Sequence, residues 1–171
     1  MVDTAYCQLC ARYNRWMNER LYAAVAPLPD AERKRDRGAF FGSIHRTLSH
    51  LLWADRAWLA RFGRGRCDVP AYGADMYDDF ATLARERDVT DTEILNWAGQ
   101  LSADWLASTL TYARAADRRT VSLPAWIAAT HFFNHSTHHR GQVTTLLAQA
   151  GVEYGPTDLP WLPGVSTFIQ S

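Results

Sequence analysis

The chain has 171 residues, enough for one domain with its own core, and 18 Lys and Arg residues balance 18 Asp and Glu residues. A net charge of zero argues against DNA or an anionic membrane as a partner, because binding to phosphate groups needs an excess of Lys and Arg. Cys7, Cys10 and Cys67 form no paired set, and no apolar run approaches the ~20 residues that cross a bilayer, so we expect a cytoplasmic protein.

Apolar residues at helical spacing predict the first three helices. The first covers residues 4 to about 26 and ends at the Pro-rich segment PLP. The second covers residues 42 to about 62 and follows the charged connection DAERKRDRGAF. The third covers about residues 77 to 101, and the segment DVTD at residues 88–91 could break it.

A short β-hairpin and a fourth helix complete the predicted fold. The segment TLTYARAADRRTVSL, residues 109–123, predicts the hairpin because two β-prone runs flank a polar centre. The fourth helix begins near Ser122 as N-cap, with Pro124 in its first turn, and ends at Gly151 as C-cap. The tail from about residue 152 contains three prolines and is expected to be irregular. We therefore predict a single domain over residues 1–171, an all-α antiparallel four-helix bundle with a small hairpin.

The Cys7-x-x-Cys10 segment could be a redox pair or half of a zinc site. A thioredoxin-like pair follows a strand, and no strand is predicted before the first helix. A zinc site would need a second pair, and Cys67 stands alone in the rest of the sequence. The pair is therefore interpreted as structural.

The stretch HFFNHSTHHRGQ, residues 131–142, contains four of the six histidines. Each residue of a helix advances by roughly 100°, so His135 and His139 lie one turn apart on the apolar stripe that faces the bundle interior. His138 lies off this stripe and His131 lies at its edge. Two imidazoles at this spacing can bind one cation, and a third ligand must then come from another helix.

The second helix offers His45 and His50 as the third ligand, and periodicity does not choose between them. Both lie roughly 100° or more from the centre of the apolar stripe. Asp55 falls on the stripe, where a charge is unusual unless it is paired or hydrogen-bonded. It could ligate the metal, accept a hydrogen bond from the N–H of a ligand, or pair with an Arg.

The segment HHRGQ adds three residues beside the histidine pair. Arg140 and Gln142 could belong to the site, although helix packing and polar contacts would also account for them. Gly141 in mid-helix costs roughly 1 kcal/mol relative to Ala, which suggests a close packing contact there.

Four blocks of the sequence resemble, in this order, those of the DinB-like (DNA-damage-inducible) proteins. The blocks are RYNRWMNERLYAAVAPLP, FFGSIHRTLSHLLWADRAWLARF, YDDFATLARERD and HFFNHSTHHRGQVTTLLAQAG. Together they cover about residues 10 to 155, and the most specific pieces are TLSHLLWAD and NHSTHHRGQ. The resemblance implies a metal-dependent bundle, related to thiol-dependent S-transferases and to a mycothiol-dependent maleylpyruvate isomerase.

Three histidines hold the metal in proteins of this kind. The resemblance places them, motif by motif, at His50 in TLSH and at His135 and His139 in NHSTHHRGQ. The other three histidines fall outside the ligand positions. Both Zn²⁺ and Ni²⁺ suit ligation by imidazole.

The expected function is that of a metal-dependent enzyme that activates a thiol or water, of the S-transferase or hydrolase type. Structural zinc usually has four protein ligands, so a three-histidine site favours chemistry. Its substrate would be a small molecule such as a low-molecular-weight thiol, and the protein would form a homodimer. The alternative is a non-catalytic, stress-associated metal-binding or interaction protein. No residue stands out as a general base beyond the ligands.

Overall fold

The computed structural model describes residues 2–64, 69–71 and 73–165, so Cys67 lies outside the described residues. Within these ranges the chain forms six helices and two strands. The helices are α1 (Thr4–Val25), α2 (Asp30–Lys34), α3 (Ile44–Arg61), α4 (Phe80–Gly99), α5 (Ala103–Ala107) and α6 (Ala125–Gln149), and the strands are β1 (Thr109–Ala113) and β2 (Thr120–Pro124). None of the described helices combines the length and the hydropathy needed to cross a bilayer.

The four long helices α1, α3, α4 and α6 form a bundle, as predicted, and β1 and β2 form the predicted antiparallel hairpin. Helix α4 continues through residues 88–91 without a break. The one-turn helices α2 and α5 were not predicted, because five residues are too few to show a helical period.

Short polar side chains begin three of the four long helices. Asp3, Ser43 and Asp79 each accept a hydrogen bond from the backbone N–H three residues later, at 2.8, 3.2 and 2.8 Å. Such a cap satisfies one of the free N–H groups of the first turn. The prediction of Ser122 as a cap is wrong, because Ser122 lies in β2 and its hydroxyl bonds to that of Thr111 at 2.8 Å.

Contacts between the helices give their directions. Helix α1 contacts α4 and α6, and α3 contacts the same two helices. Asn14 of α1 bonds to Asp91 of α4, whereas Tyr22, further along α1, stacks on Phe80 at the start of α4. Helices α1 and α4 are therefore antiparallel.

Helices α3 and α4 run in parallel. Asp55 pairs with Arg87, and the ring of Phe62, just after α3, stacks on Trp97 near the end of α4 at 4.8 Å. The end of α3 and the start of α4 therefore lie at opposite ends of the bundle.

A polar layer separates the two largest apolar clusters of the core. One cluster includes Cys7, Leu59 and Trp97, and the other includes Leu21 and Leu48. The layer between them contains buried side chains from all four long helices, namely Asn14, Asn18, Asp55, Arg87, Asp91, Ser136 and Arg140. Burial raises the pKa of Cys7 to about 11, and this agrees with a structural role because the reactive form of cysteine is the thiolate.

The segment after α6 folds back onto the bundle. Arg20 of α1 donates a hydrogen bond to the carbonyl of Tyr154 at 3.1 Å, and Tyr13 donates to the carbonyl of Thr157. A 3₁₀ turn follows at Leu159–Trp161, and Leu162 is buried. Over the described residues 152–165, the expectation of an irregular tail therefore holds apart from this turn.

Gly141 has no close packing partner, so that expectation is wrong. A Cβ atom added there would meet no atom within 4 Å, and the residue is exposed in the middle of α6. We therefore expect Gly141→Ala to stabilise the protein by about 1 kcal/mol, because alanine lowers the backbone entropy lost on helix formation. In thermal unfolding this should raise Tm by about 2–4 °C.

Gly151→Ala is the matched control for this prediction. Gly151 follows α6 with a φ of +71°, which an L side chain adopts at a cost of about 1–2 kcal/mol. Its replacement should lower Tm. A drop in Tm for Gly141→Ala would mean that this position is constrained by something other than helix propensity.

Candidate metal centre

The structure brings together the three histidines singled out in the sequence. His50 lies in α3, and His135 and His139 lie one turn apart in α6. The Nε2 atom of His135 is 3.4 Å from that of His50 and 3.1 Å from that of His139. Each histidine offers a ligand atom within 4.8 Å of the other two. Helices α3 and α6 are antiparallel, because Phe62, just after α3, contacts Phe132 whereas His50 contacts His139.

The spacing of these nitrogens fits a single bound cation. Two nitrogens at about 2.0–2.1 Å from a tetrahedral zinc ion would be about 3.3 Å apart, close to the two separations observed. Three imidazole nitrogens that converge in this way carry lone pairs, and their mutual repulsion is relieved by a shared cation. The cluster could therefore hold a metal ion.

Neighbouring side chains orient two of the three rings. The Nδ1 atom of His139 lies 2.8 Å from Oε1 of Gln142, so Nδ1–H donates to the amide and Nε2 keeps its lone pair for a cation. The ring of His50 stacks on Phe41 at 4.0 Å with an interplanar angle of 24°, and Trp53 covers it further out. Gln142, one of the open candidates in the sequence, thus contacts the site directly.

The remaining histidines have other surroundings. His45 is buried, and its Nε2 atom lies 2.8 Å from the carbonyl oxygen of Tyr77, in the connection before α4. His138 is exposed and lies near the Gln142 amide nitrogen. His131 is also exposed, and its ring lies 5.6 Å from that of His135. None of the three belongs to the cluster.

Asp55 pairs with an arginine, which was one of the three alternatives that the sequence left open. It accepts hydrogen bonds from Arg87 at 2.7 Å and from the Ser136 hydroxyl at 3.0 Å. Arg140 is buried in the same layer and donates to Asn14 and to Thr137. Neither Asp55 nor Arg140 lines the cavity beside the cluster.

The helical wheel predicted that both histidines point into the bundle interior, and they lie slightly less deep than the residues that follow them. His135 is only partly buried and His139 is 7% exposed, whereas Ser136 and Arg140, the residues that follow them, are 0% and 3% exposed. The centre of the bundle here is polar, so hydrophobicity did not identify the innermost face of α6. The histidines instead face α3 at the rim of the bundle.

A cavity of about 360 Å³ adjoins the cluster, which is within the range of small-molecule sites. Its described walls are largely aromatic, with Phe40, Phe41, Trp53, Trp58 and Tyr112. The hairpin supplies Tyr112 and the turn residues 114–116, so the hairpin closes one side of the site. Sequence reasoning missed these residues, because the position of the hairpin over α3 has no local signal.

The three imidazoles are neutral near neutral pH. Burial, and then the charge of His139, lowers the pKa of His50 to about 4. Burial and the neighbouring histidines lower the pKa of His135 to about 3. Burial also lowers the pKa of His139, against the hydrogen bond to Gln142. Neutral imidazole is the form that binds a metal ion.

Comparisons with known proteins agree over most of the chain. The model of the DinB family matches residues 1–167. Protein DinB of Bacillus subtilis (strain 168) is 28% identical over 157 residues, which cover 85% of this chain and 87% of that protein. The crystal structure of a DinB-like protein from Bacillus cereus ATCC 10987 matches with a TM-score of 0.63 at 20% identity, over 82% of this chain and 90% of that one.

The depressed histidine pKa values predict a loss of stability in acid for the metal-free protein. Below pH 6.5 the unfolded chain takes up protons at His50 and His135, whereas the folded chain does so only near pH 4 and pH 3. The free energy of unfolding should therefore fall as the pH drops from 6.5 towards 4. Denaturant unfolding in the presence of a chelator measures this slope.

His135→Ala should make the slope shallower, because it removes one of the groups that protonate only on unfolding. His138→Ala removes an exposed histidine from the same helix and should keep the wild-type slope. Equal slopes in the wild type and His135→Ala would contradict the assignment of the acid effect to the cluster.

Proposed function

Because the chain belongs to the DinB family, we propose that it is a metal-dependent enzyme that activates a thiol or water, of the S-transferase or hydrolase type. The observation that carries the proposal is the convergence of three imidazole nitrogens at the edge of an aromatic cavity. His50, His135 and His139 would hold Zn²⁺ or Ni²⁺, both of which accept imidazole ligands. We also propose that the substrate is a low-molecular-weight thiol and that the protein forms a homodimer.

Three protein ligands favour chemistry over a purely structural role, since structural zinc sites usually have four. A divalent ion bound there would supply a Lewis acid that lowers the pKa of a thiol or of water towards neutral. The histidines are neutral and no carboxylate belongs to the cluster among the described residues, so the positive charge of the ion stays available to an anionic ligand.

The surrounding side chains prepare the site for this chemistry. The Gln142 amide holds the proton of His139 on Nδ1, which leaves Nε2 free. Phe41 and Trp53 cover His50 and reduce the access of water, which strengthens electrostatic interactions in the cavity. The described walls of the cavity contain no Asp or Glu, so a wall side chain that transfers a proton there would be the imidazole of His131 or the hydroxyl of Tyr112.

Metal content tests the ligand assignment. The untagged wild-type protein should contain nearly one equivalent of zinc or nickel by elemental analysis. His50→Ala, His135→Ala and His139→Ala should each lose most of it, because removal of one of three ligands leaves two nitrogens. His138→Ala and His131→Ala are the matched controls on α6 and should keep the metal.

Retention of metal in all three ligand variants would falsify the proposed centre. Circular dichroism and thermal melts of each variant distinguish a lost ligand from a lost fold. A variant that is folded but metal-free is the expected result.

Activity separates the proposed enzyme from a protein that only binds metal. We expect the metal-loaded wild type to couple an electrophile to one of glutathione, bacillithiol or mycothiol, with rates that fall to background in His139→Ala. If no thiol increases the reaction rate but hydrolysis is measurable, the S-transferase activity is excluded and the hydrolase activity remains. No turnover in either assay would favour the non-catalytic alternative.

A further inference from the structure

Arg61 occupies an unusual place in the cavity beside the histidine cluster. It is the last residue of α3, and its guanidinium carbon lies 4.5 Å from the ring centre of Trp58 and 4.8 Å from that of Tyr112. The two rings are in edge contact with each other at 5.2 Å, and Arg61 itself is partly buried. The guanidinium is thus held between an aromatic residue of α3 and one of the hairpin.

No carboxylate balances the charge of Arg61 in the described part of the chain. Asp and Glu side chains pair with other arginines throughout the bundle, whereas Arg61 makes neither an ion pair nor a hydrogen bond with a described residue. The second arginine of the cavity, Arg114, has Asp117 3.5 Å away. Burial lowers the pKa of Arg61, as expected of a cation that has lost water without gaining an acid.

Helix packing accounts for the position of Arg61 but leaves its donors free. A cation at the C-terminus of a helix interacts favourably with the helix dipole, and aromatic faces attract a guanidinium. The helix dipole acts on the charge of the guanidinium, and the aromatic rings contact its flat faces. The N–H donors lie in the guanidinium plane and point outward, where they match the two oxygens of a planar carboxylate.

The cavity connects Arg61 with the histidine cluster. The ring of Trp58 lies 5.2 Å from His131, and His131 lies 5.6 Å from His135. Arg61 and all three histidines of the cluster line the same space, between the aromatic walls. One small molecule in this cavity can therefore contact both Arg61 and the histidine cluster.

We propose that Arg61 binds the carboxylate of an organic anion whose apolar body lies against the aromatic walls and whose reactive end faces the three histidines. The statement that the reactive end faces the histidines rests on the proposed function, whereas the binding of the carboxylate by Arg61 does not depend on it. Arg61 is then the residue that selects an acid over a neutral analogue of the same shape.

Binding of matched acid and amide probes tests this assignment. The probes are phenylacetate, 3-phenylpropionate and 4-phenylbutyrate, each beside its primary amide, and the measurement is calorimetric titration of the full chain in its zinc-loaded and metal-free forms. The wild type should bind at least one acid more tightly than its amide in both forms. Arg61→Gln should weaken acid binding by about tenfold or more, since hydrogen bonds to a charged group are lost, and leave amide binding unchanged.

Two further variants control the result. Arg119→Gln makes the same charge change on the hairpin turn at an exposed residue outside the cavity walls, and it should keep the preference for the acid. Arg61→Lys keeps the charge without the planar pair of donors and should bind the acid with intermediate affinity. Thermal melts confirm that each variant is folded.

Several outcomes would overturn the proposal. They are a wild type with no preference for any acid, a preference that persists in Arg61→Gln, and an equal loss in Arg119→Gln. A preference that requires zinc and ignores Arg61 would mean that the metal binds the carboxylate, and this too overturns the proposal. Because the metal-free form is measured separately, a protein that never binds zinc would refute the proposed function and still test Arg61.

Discussion

The pairing of Arg87 with Asp55 and Asp91 inside the bundle is the interaction on which the position of the histidines depends. The Arg87 side chain lies 2.7 Å from Asp55 of α3 and 2.9 Å from Asp91 of its own helix, and the three residues are 1–2% exposed. Burial lowers the pKa of Arg87, but the two carboxylates raise it by more, so the guanidinium stays charged. Removing one partner of such a buried pair typically costs about 3–5 kcal/mol, because the other charge is left uncompensated.

This polar layer fixes α6 against α3. Ser136 donates to Asp55, and Arg140 donates to Asn14 of α1, so two neighbouring turns of α6 are attached to the centre of the bundle. His135 and His139 precede these two residues directly, and a rotation of roughly 100° per residue turns their rings towards α3 and the cavity. The polar layer therefore sets the rotation of α6 that places both imidazoles beside His50. An apolar layer would allow α6 to rotate or shift at a smaller cost.

Local sequence signals predicted the parts of this arrangement that depend on one helix at a time. Periodicity located the four long helices, and the spacing of His135 and His139 identified them as a pair. The choice of His50 over His45 came only from the family resemblance. His45 instead contacts the carbonyl oxygen of Tyr77 in the connection before α4, and periodicity within α3 does not predict this contact. The contact of Tyr112 with Arg61 and the parallel course of α3 and α4 depend on how connecting segments cross the bundle. Such contacts join residues that lie far apart in the sequence, so no periodic pattern of residues predicts them.

The distribution of charge supports the proposal that the cavity binds an anion. The polar layer contains two arginines, Arg87 and Arg140, and two aspartates, Asp55 and Asp91. These charges balance, so the layer contributes no net charge to the neighbouring site. The same removal of water that keeps the imidazoles neutral also weakens the screening of any charge placed among them. A dication on the three histidines and the guanidinium of Arg61 would then face each other across walls that have no described acid. An anionic ligand in the cavity would balance this positive charge, with a thiolate or hydroxide at the histidines and a carboxylate at Arg61.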